Sequence, residues 1–200
     1  MKYLFPAISV IILIIVVGGA AFYLGQKSLN NTKAPAQQSQ TQQTTPLLTP
    51  TPTVLEKTQV SSGGILVFAK YTLDVPSGWV SQKENTQYSD MLTLTKDTYK
   101  ISIYQAAGGG GGCLYPGDPD KEMAQRFQSF TEISNPNGYV FRRALTGSSV
   151  GAWTVCQKNA TDGSFGFPTN FGNITITTPA NPSNELMTEI DSILASLKKI

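Results

Sequence analysis

Apolar and polar positions along this chain follow three regimes in turn. From Leu4 to Leu24 the run LFPAISVIILIIVVGGAAFYL carries no charge and only Ser9 as a clearly polar side chain. At about 1.5 Å per residue it makes a helix of roughly 30 Å, the thickness of a bilayer's hydrocarbon core. The pattern predicts a transmembrane anchor over residues 1–25. Gly19-Ala20-Ala21 offers the small-residue site of a cleaved signal, but the apolar run continues through Phe22, Tyr23 and Leu24, which favours an uncleaved anchor. No cysteine directly follows the run, so a lipid-modified anchor is excluded.

Residues 26–60 change to Gln, Thr, Pro and Ser, as in APAQQSQTQQTTPLLTPTPTV. Such a segment buries too little apolar surface to offset its chain entropy and reads as a disordered tether. Its root-mean-square reach is on the order of 30 Å for a flexible chain of this length.

Residues 61–200 alternate. Ile65 to Phe68 and Tyr71 to Val75 read as strands, with Pro76-Ser77-Gly78 as a turn before Trp79. Met91 to Thr95 and Ile101 to Tyr104 alternate as half-buried strands about a Lys96-Asp97 turn. Tyr139 to Leu145 and Val150 to Gln157 follow the Asn137-Gly138 turn, and Ile174 to Thr177 forms a last strand after Asp162-Gly163. Two helices are predicted: one opened by Asp118-Pro119 with Met123, Phe127 and Phe130 at helical spacing, and one after Asn181-Pro182. The second carries the stripe Leu186, Ile190, Ile193, Leu194 and Leu197, closed by Lys198-Lys199. The expected fold class is α+β, an antiparallel β-sheet packed with helices including a C-terminal amphipathic helix.

Charge is uninformative for partners. From Ser61 onward 11 Lys and Arg face 12 Asp and Glu, and Arg142-Arg143 alone makes no nucleic-acid footprint. The chain contains no histidine, which removes the commonest general base and metal ligand.

The segment YTLDVPSGW (Tyr71 to Trp79), the hairpin-rich middle and the closing DSILASLKKI (Asp191 to Ile200) resemble the PsbP-like fold. That superfamily includes the extrinsic photosystem II protein and many bacterial exported domains. The resemblance covers residues from about Ser61 onward and implies an antiparallel sheet between helices. It implies an adaptor or assembly factor rather than an enzyme, and carries over no functional residue.

Gly147-Ser148-Ser149-Val150-Gly151 matches the G-x-S-x-G nucleophile elbow, but that motif needs a strand-to-helix turn and a histidine base. Here it joins two predicted strands, so a hairpin loop is the better reading. Gly108 to Gly112 lacks the Gly-Lys-Ser/Thr ending of a phosphate cradle and reads as a flexible loop, open to close approach by a ligand or partner. Asp118, Asp120 and Glu122 suit a helix cap and first turn better than calcium ligation. Cys113 and Cys156, the only cysteines, read as a disulfide in an exported domain. Phe165-Gly166-Phe167-Pro168 falls in a predicted loop, and Phe165, Phe167 and Tyr115 are the candidate binding surface.

The sequence therefore predicts a single-pass cell-membrane protein with its C-terminal domain extracytoplasmic, acting as a binding or assembly module. It is expected to be no enzyme, to need no cofactor or metal, and to meet the membrane and an envelope or membrane-protein partner rather than nucleic acid. The competing expectation is a membrane-anchored hydrolase with a Ser-Lys or carboxylate site.

Overall fold

The structure, a computed structural model, describes residues 56–147 and 150–200. The anchor expected over 1–25, the expected tether as far as residue 55, and Ser148 and Ser149 lie outside the described residues; the last residues assigned to the tether, 57–60, are instead strand, paired with residues 73–76. Among the described residues, no helix is long and apolar enough to cross a membrane.

The fold class departs from expectation. Half of the described residues are strand and 8% helix, in a single helix, so the domain is a mostly β structure rather than α+β with several helices. Strands β1 (Lys57–Gly63) and β2 (Lys70–Pro76) form a hairpin that is joined by β13 (Lys198–Lys199) into a three-stranded antiparallel sheet. The strand expected at Ile65 to Phe68 is instead the hairpin's turn.

The second sheet starts as the meander β3 (Val80–Asn85), β4 (Ser89–Lys96) and β5 (Tyr99–Ala106). It continues across β12 (Asn173–Thr177), β10 (Ala152–Lys158), β9 (Val140–Leu145) and β8 (Thr131–Ser134). One edge of β10 is shared. Ala152 to Val155 pair with β12, while Gln157 and Lys158 pair with β11 (Phe165–Phe167). At β11 the sheet forks to β6 (Gly111–Leu114) and then to β7 (Gln125–Arg126), which runs parallel to β6.

Period-two alternation decides which face is buried. Leu92, Leu94, Ile101, Ile103, Ile174, Ile176 and Val155 share the inner face, each at or below 1% exposure. Against them pack Tyr71, Leu73 and Val75 of β2 and helix α1 (Asn184–Ala195), which buries Met187, Ile190, Ile193 and Leu194. At roughly 1.5–3 kcal/mol per buried aliphatic side chain, this stripe is what holds the helix.

The ends of α1 are tied by other elements. The Ser183 N–H donates to Tyr99 Oη at 2.6 Å, and Ser196 Oγ accepts from the Asp74 N–H at 2.8 Å. Buried Asn135, two residues before the predicted Asn137-Gly138 turn, donates to Leu197 O at 2.7 Å. Lys198-Lys199 do not complete the helix; they form β13.

The helix expected from Asp118 is absent. Asp118 Oδ2 accepts from the Tyr115 N–H at 3.0 Å, closing a turn through Pro116-Gly117, and Met123 has φ 59°, a left-handed conformation no α-helix accommodates. Met123 is 98% exposed while Phe127 is buried. The segment therefore lies across the outer face of the sheet, with Phe127 committed to that contact rather than to a helical stripe.

Two polar residues interrupt the inner face where β4 begins and β5 ends. Gln105 is fully buried; its Nε2 donates to Ala69 O and Phe171 O, both at 2.9 Å, and its Oε1 accepts from the N–H groups of Gly64 (2.9 Å) and Ile65 (3.1 Å). Opposite it in register, Asp90 accepts from Ser62 Oγ at 3.0 Å and the Gly63 N–H at 3.1 Å. Gln105→Ala would strand four backbone groups, so it should lower stability by about 2–4 kcal/mol in urea unfolding; a loss below about 0.5 kcal/mol would show that water replaces the amide.

A charged contact ties the helix to the meander. Lys96 Nζ donates to both Glu189 oxygens at 2.8 and 2.9 Å, and Trp79 Nε1 donates to Glu189 Oε2 at 2.8 Å. Burial opposes the Glu189 charge, but the hydrogen bonds from Lys96 and Trp79 and the Lys96 charge outweigh it and hold the carboxyl below its ordinary value. A folded-state value below the unfolded one contributes stability that is complete above about pH 4.3 and lost as pH falls through the folded value. The stability gap between wild type and Glu189→Gln should therefore be constant near neutrality and close in acid; a gap independent of pH would be inconsistent with the ion pair.

Candidate functional site

On the outer face, alternation brings Arg142, Ala144 and Cys156 together, since Arg142 and Cys156 are register partners across β9 and β10. Cys156 is bonded to Cys113 of β6, with Cα atoms 6.6 Å apart, which confirms the expected disulfide. The bond closes a separation of 43 residues and clamps the β6–β11 fork onto the main sheet.

Around it gather Tyr115, Phe127 and Phe165, all buried, with Phe167 half-buried. Tyr115 stacks on Phe127 at 5.3 Å and meets Phe130 and Phe165 edge-on at 4.8 and 5.7 Å. The Arg142 guanidinium lies 4.0 Å from the ring centres of both Phe130 and Phe165 and 4.9 Å from that of Tyr115. Its Nε donates to Glu132 Oε2 at 2.9 Å. Rings and carboxylate together give this arginine the solvation that its partial burial removes. Burial raises the Tyr115 phenol, as does Asp118, against the opposing charge of Arg142.

Of the three aromatic residues expected to form a binding surface, Tyr115 and Phe165 thus form the inside of this outer cluster. Phe167 lies at its rim. Phe165 to Phe167 is strand β11 rather than a loop, because it pairs with Cys113 to Gly111 on one side and β10 on the other. The glycine run is correspondingly part strand. Gly110 has no room for a side chain, since a Cβ there would sit 2.5 Å from Phe167 O and 2.8 Å from Pro168 Cδ. Gly108 and Gly109 face open space.

The strands Gly111-Gly112 and Phe165-Gly166-Phe167 border an open cleft of about 610 Å³. Its walls add Tyr139, Gln157, Lys158 and Asn170. A smaller hollow of about 300 Å³ shares Gly112, Lys158 and Phe165 and adds Arg142, Lys121 and Asp162. The exposed Asp162 carboxyl is held below its usual range by hydrogen bonds from the Ser164 hydroxyl and N–H. Gln157 Oε1 accepts from the Asn170 N–H at 2.8 Å, so its amide fixes the far wall. The cleft therefore presents strand backbone, aromatic edges, side-chain amides and one ammonium, a set suited to holding a polar ligand with an apolar face.

The remaining candidates separate. Asp118 is occupied by its turn, and Asp120 pairs with Arg126 at 2.6 Å. Among the described residues no three potential ligands converge for a metal ion. Gly147 and Gly151 flank the connection between β9 and β10, which pair directly, so G-x-S-x-G spans a hairpin and not a strand-to-helix elbow. Sequence reading missed Arg142, Gln157 and Tyr139. Consecutive Arg142 and Arg143 on a strand must point to opposite faces, so one had to be buried, and that was the available signal.

Comparison with family models, curated proteins and solved structures finds no match for this chain.

Closing a loop of this length removes about 4 kcal/mol of chain entropy from the unfolded state. Cys113→Ala with Cys156→Ala should therefore lower stability by about that amount in urea unfolding. Hydrogen exchange should quicken at residues 111–114 and 165–167 before the meander; uniform quickening would contradict a local clamp.

Proposed function

We propose that the chain is a membrane-tethered extracytoplasmic binding or assembly module whose working surface is the cleft beside β11. The observation that carries this reading is the cleft itself: glycine-rich strand backbone, aromatic edges and amide side chains held on a disulfide-clamped fork. Placement outside the cytoplasm is supported by the disulfide, which persists in oxidising compartments, and by the apolar run from Leu4 to Leu24. The similarity to PsbP-like domains suggests an adaptor role in the same sense. That family's sheet lies between helices, whereas one helix covers this sheet among the described residues.

A photo-cross-linking residue replacing Lys158 in the full chain, expressed in its native membrane, should give a discrete adduct that is absent when the same group replaces Lys83 on β3. Equal labelling, or none, at both positions would rule out the cleft as the working surface. Resistance of the full chain to carbonate extraction should accompany it, and stoichiometric labelling of Ser149 by a fluorophosphonate probe would favour the hydrolase instead.

A further inference from the structure

The β1–β2 hairpin ends in Ile65-Leu66-Val67-Phe68, closed by the Phe68 N–H donating to Ile65 O at 3.1 Å. Leu66, the first central residue of this turn, has φ 57°, the position a type II′ turn normally gives to glycine. A leucine here brings the fold no packing, for Leu66 is 59% and its neighbour Val67 94% exposed. The turn accepts backbone strain to hold two apolar side chains in solvent, and such outliers gather at functional sites.

The surroundings of this tip are basic. Lys70 follows the turn, and β13 sets Lys198 opposite Thr72 and Lys199 opposite Tyr71. The Ile200 N–H donates to Lys70 O at 3.0 Å, adding a third exposed apolar side chain beside the lysines. All three lysines are exposed, and none is in an ion pair among the described residues. Asp90, the carboxylate bonded to Ser62 and Gly63, is buried and turned inward.

We propose that this tip is a lipid-docking element: Leu66 and Val67 enter the headgroup region of an anionic phospholipid bilayer while Lys70, Lys198 and Lys199 meet its phosphates. Charge complementarity selects the occupant, because exposed apolar side chains with unpaired cations at the same end of the sheet match an anionic interface. A knob of two side chains is also far below the roughly 800 Å² per partner of a stable protein interface. The proposal deepens the membrane-tethered reading and rests on it for proximity. The tether joins β1 at Lys57, the far end of the strand from the tip, and seven residues at about 3.3 Å each make that roughly 20 Å. A linker with the reach that the sequence leads one to expect, about 30 Å, would allow the tip to turn back onto the same bilayer.

The test uses the full chain carrying Val67→Cys labelled with the environment-sensitive fluorophore NBD, since the native cysteines are paired and do not react. It is reconstituted with phosphatidylcholine vesicles with or without phosphatidylglycerol. Flotation reports the anchor; NBD emission and quenching by nitroxide lipid report the tip. The expected result is a blue shift and quenching in anionic vesicles only, with no shift for the label on Val80→Cys at the start of β3, in the other sheet. Neutralising each lysine (Lys70→Gln, Lys198→Gln, Lys199→Gln) should lower the inserted-to-free ratio about five-fold. Leu66→Gly, which suits the turn and preserves the fold, should lower it too. A chain that floats while emission at position 67 is the same in both vesicle types overturns the tip and leaves the tether standing. A chain that does not float overturns the tether, and the same emission shift on adding anionic vesicles then decides the tip.

Discussion

The amide of Gln105 is the constraint on which the two sheets depend. Nothing in the register pairs the three-stranded sheet with the longer one, and apolar contact between their faces is non-directional. Gln105 supplies the direction. One side chain at the end of β5 satisfies two donors in the β1–β2 turn and one acceptor each in Ala69 and Phe171. With every hydrogen-bonding position used, the buried amide is stabilising rather than a liability. It also fixes where the 168–172 connector inserts Phe171 into the core, and so where β11 ends and β12 begins.

Strand β9 shows how a mostly β domain carries two cores on one sheet. Arg143 points inward and is bidentate to Asp191 of α1 at 2.8 and 3.0 Å, with its guanidinium 4.7 Å from the Trp153 ring. Arg142 points outward into the aromatic cluster. Adjacent residues of one type therefore pin the helix to one face and the 115–130 segment to the other. Among the described residues the outer layer has no helix to supply a continuous apolar stripe, so a disulfide and a guanidinium among rings take that role. These hold a chosen geometry where area alone would be too small to do so.

The β4–β5 hairpin, the Asn-Gly turn, the closing helix and the disulfide were legible because each rests on local chemistry: strict alternation, a turn dipeptide, a helical stripe, a cysteine pair; β3, exposed along its whole length, carries no alternation to read. Errors came where local pattern and tertiary demand conflict. Met123, Phe127 and Phe130 have helical spacing, yet the uncovered outer face around Cys156 drew Phe127 and Phe130 to it and turned Met123 out. Ile65 to Phe68 reads as a strand by composition, while glycines at 63 and 64 with φ of 79° and 96° had already begun the turn. The glycine run could not be placed from sequence because β6 exists only by pairing with β11, far along the chain. Among binding candidates, aromatic residues were found but their polar neighbours were not. Gln157 and Lys158 become a wall only after β10 is shared between two partners.

The two ends of the domain are chemically unlike. Where β1 begins, Pro76 and Glu56 lie together, the Ser77 N–H donating to Glu56 O at 2.9 Å. The opposite end gathers the turn with Leu66 and Val67, the end of β5 with Gln105, and the glycine-bordered cleft. It is also where buried polar groups concentrate, in Asp90, Gln105 and Asn135. Polar groups buried beneath a surface make its backbone positions specific rather than merely compact. A cleft and a tip built on such a base keep their shape, so what this end of the domain presents is set by its own buried hydrogen bonds.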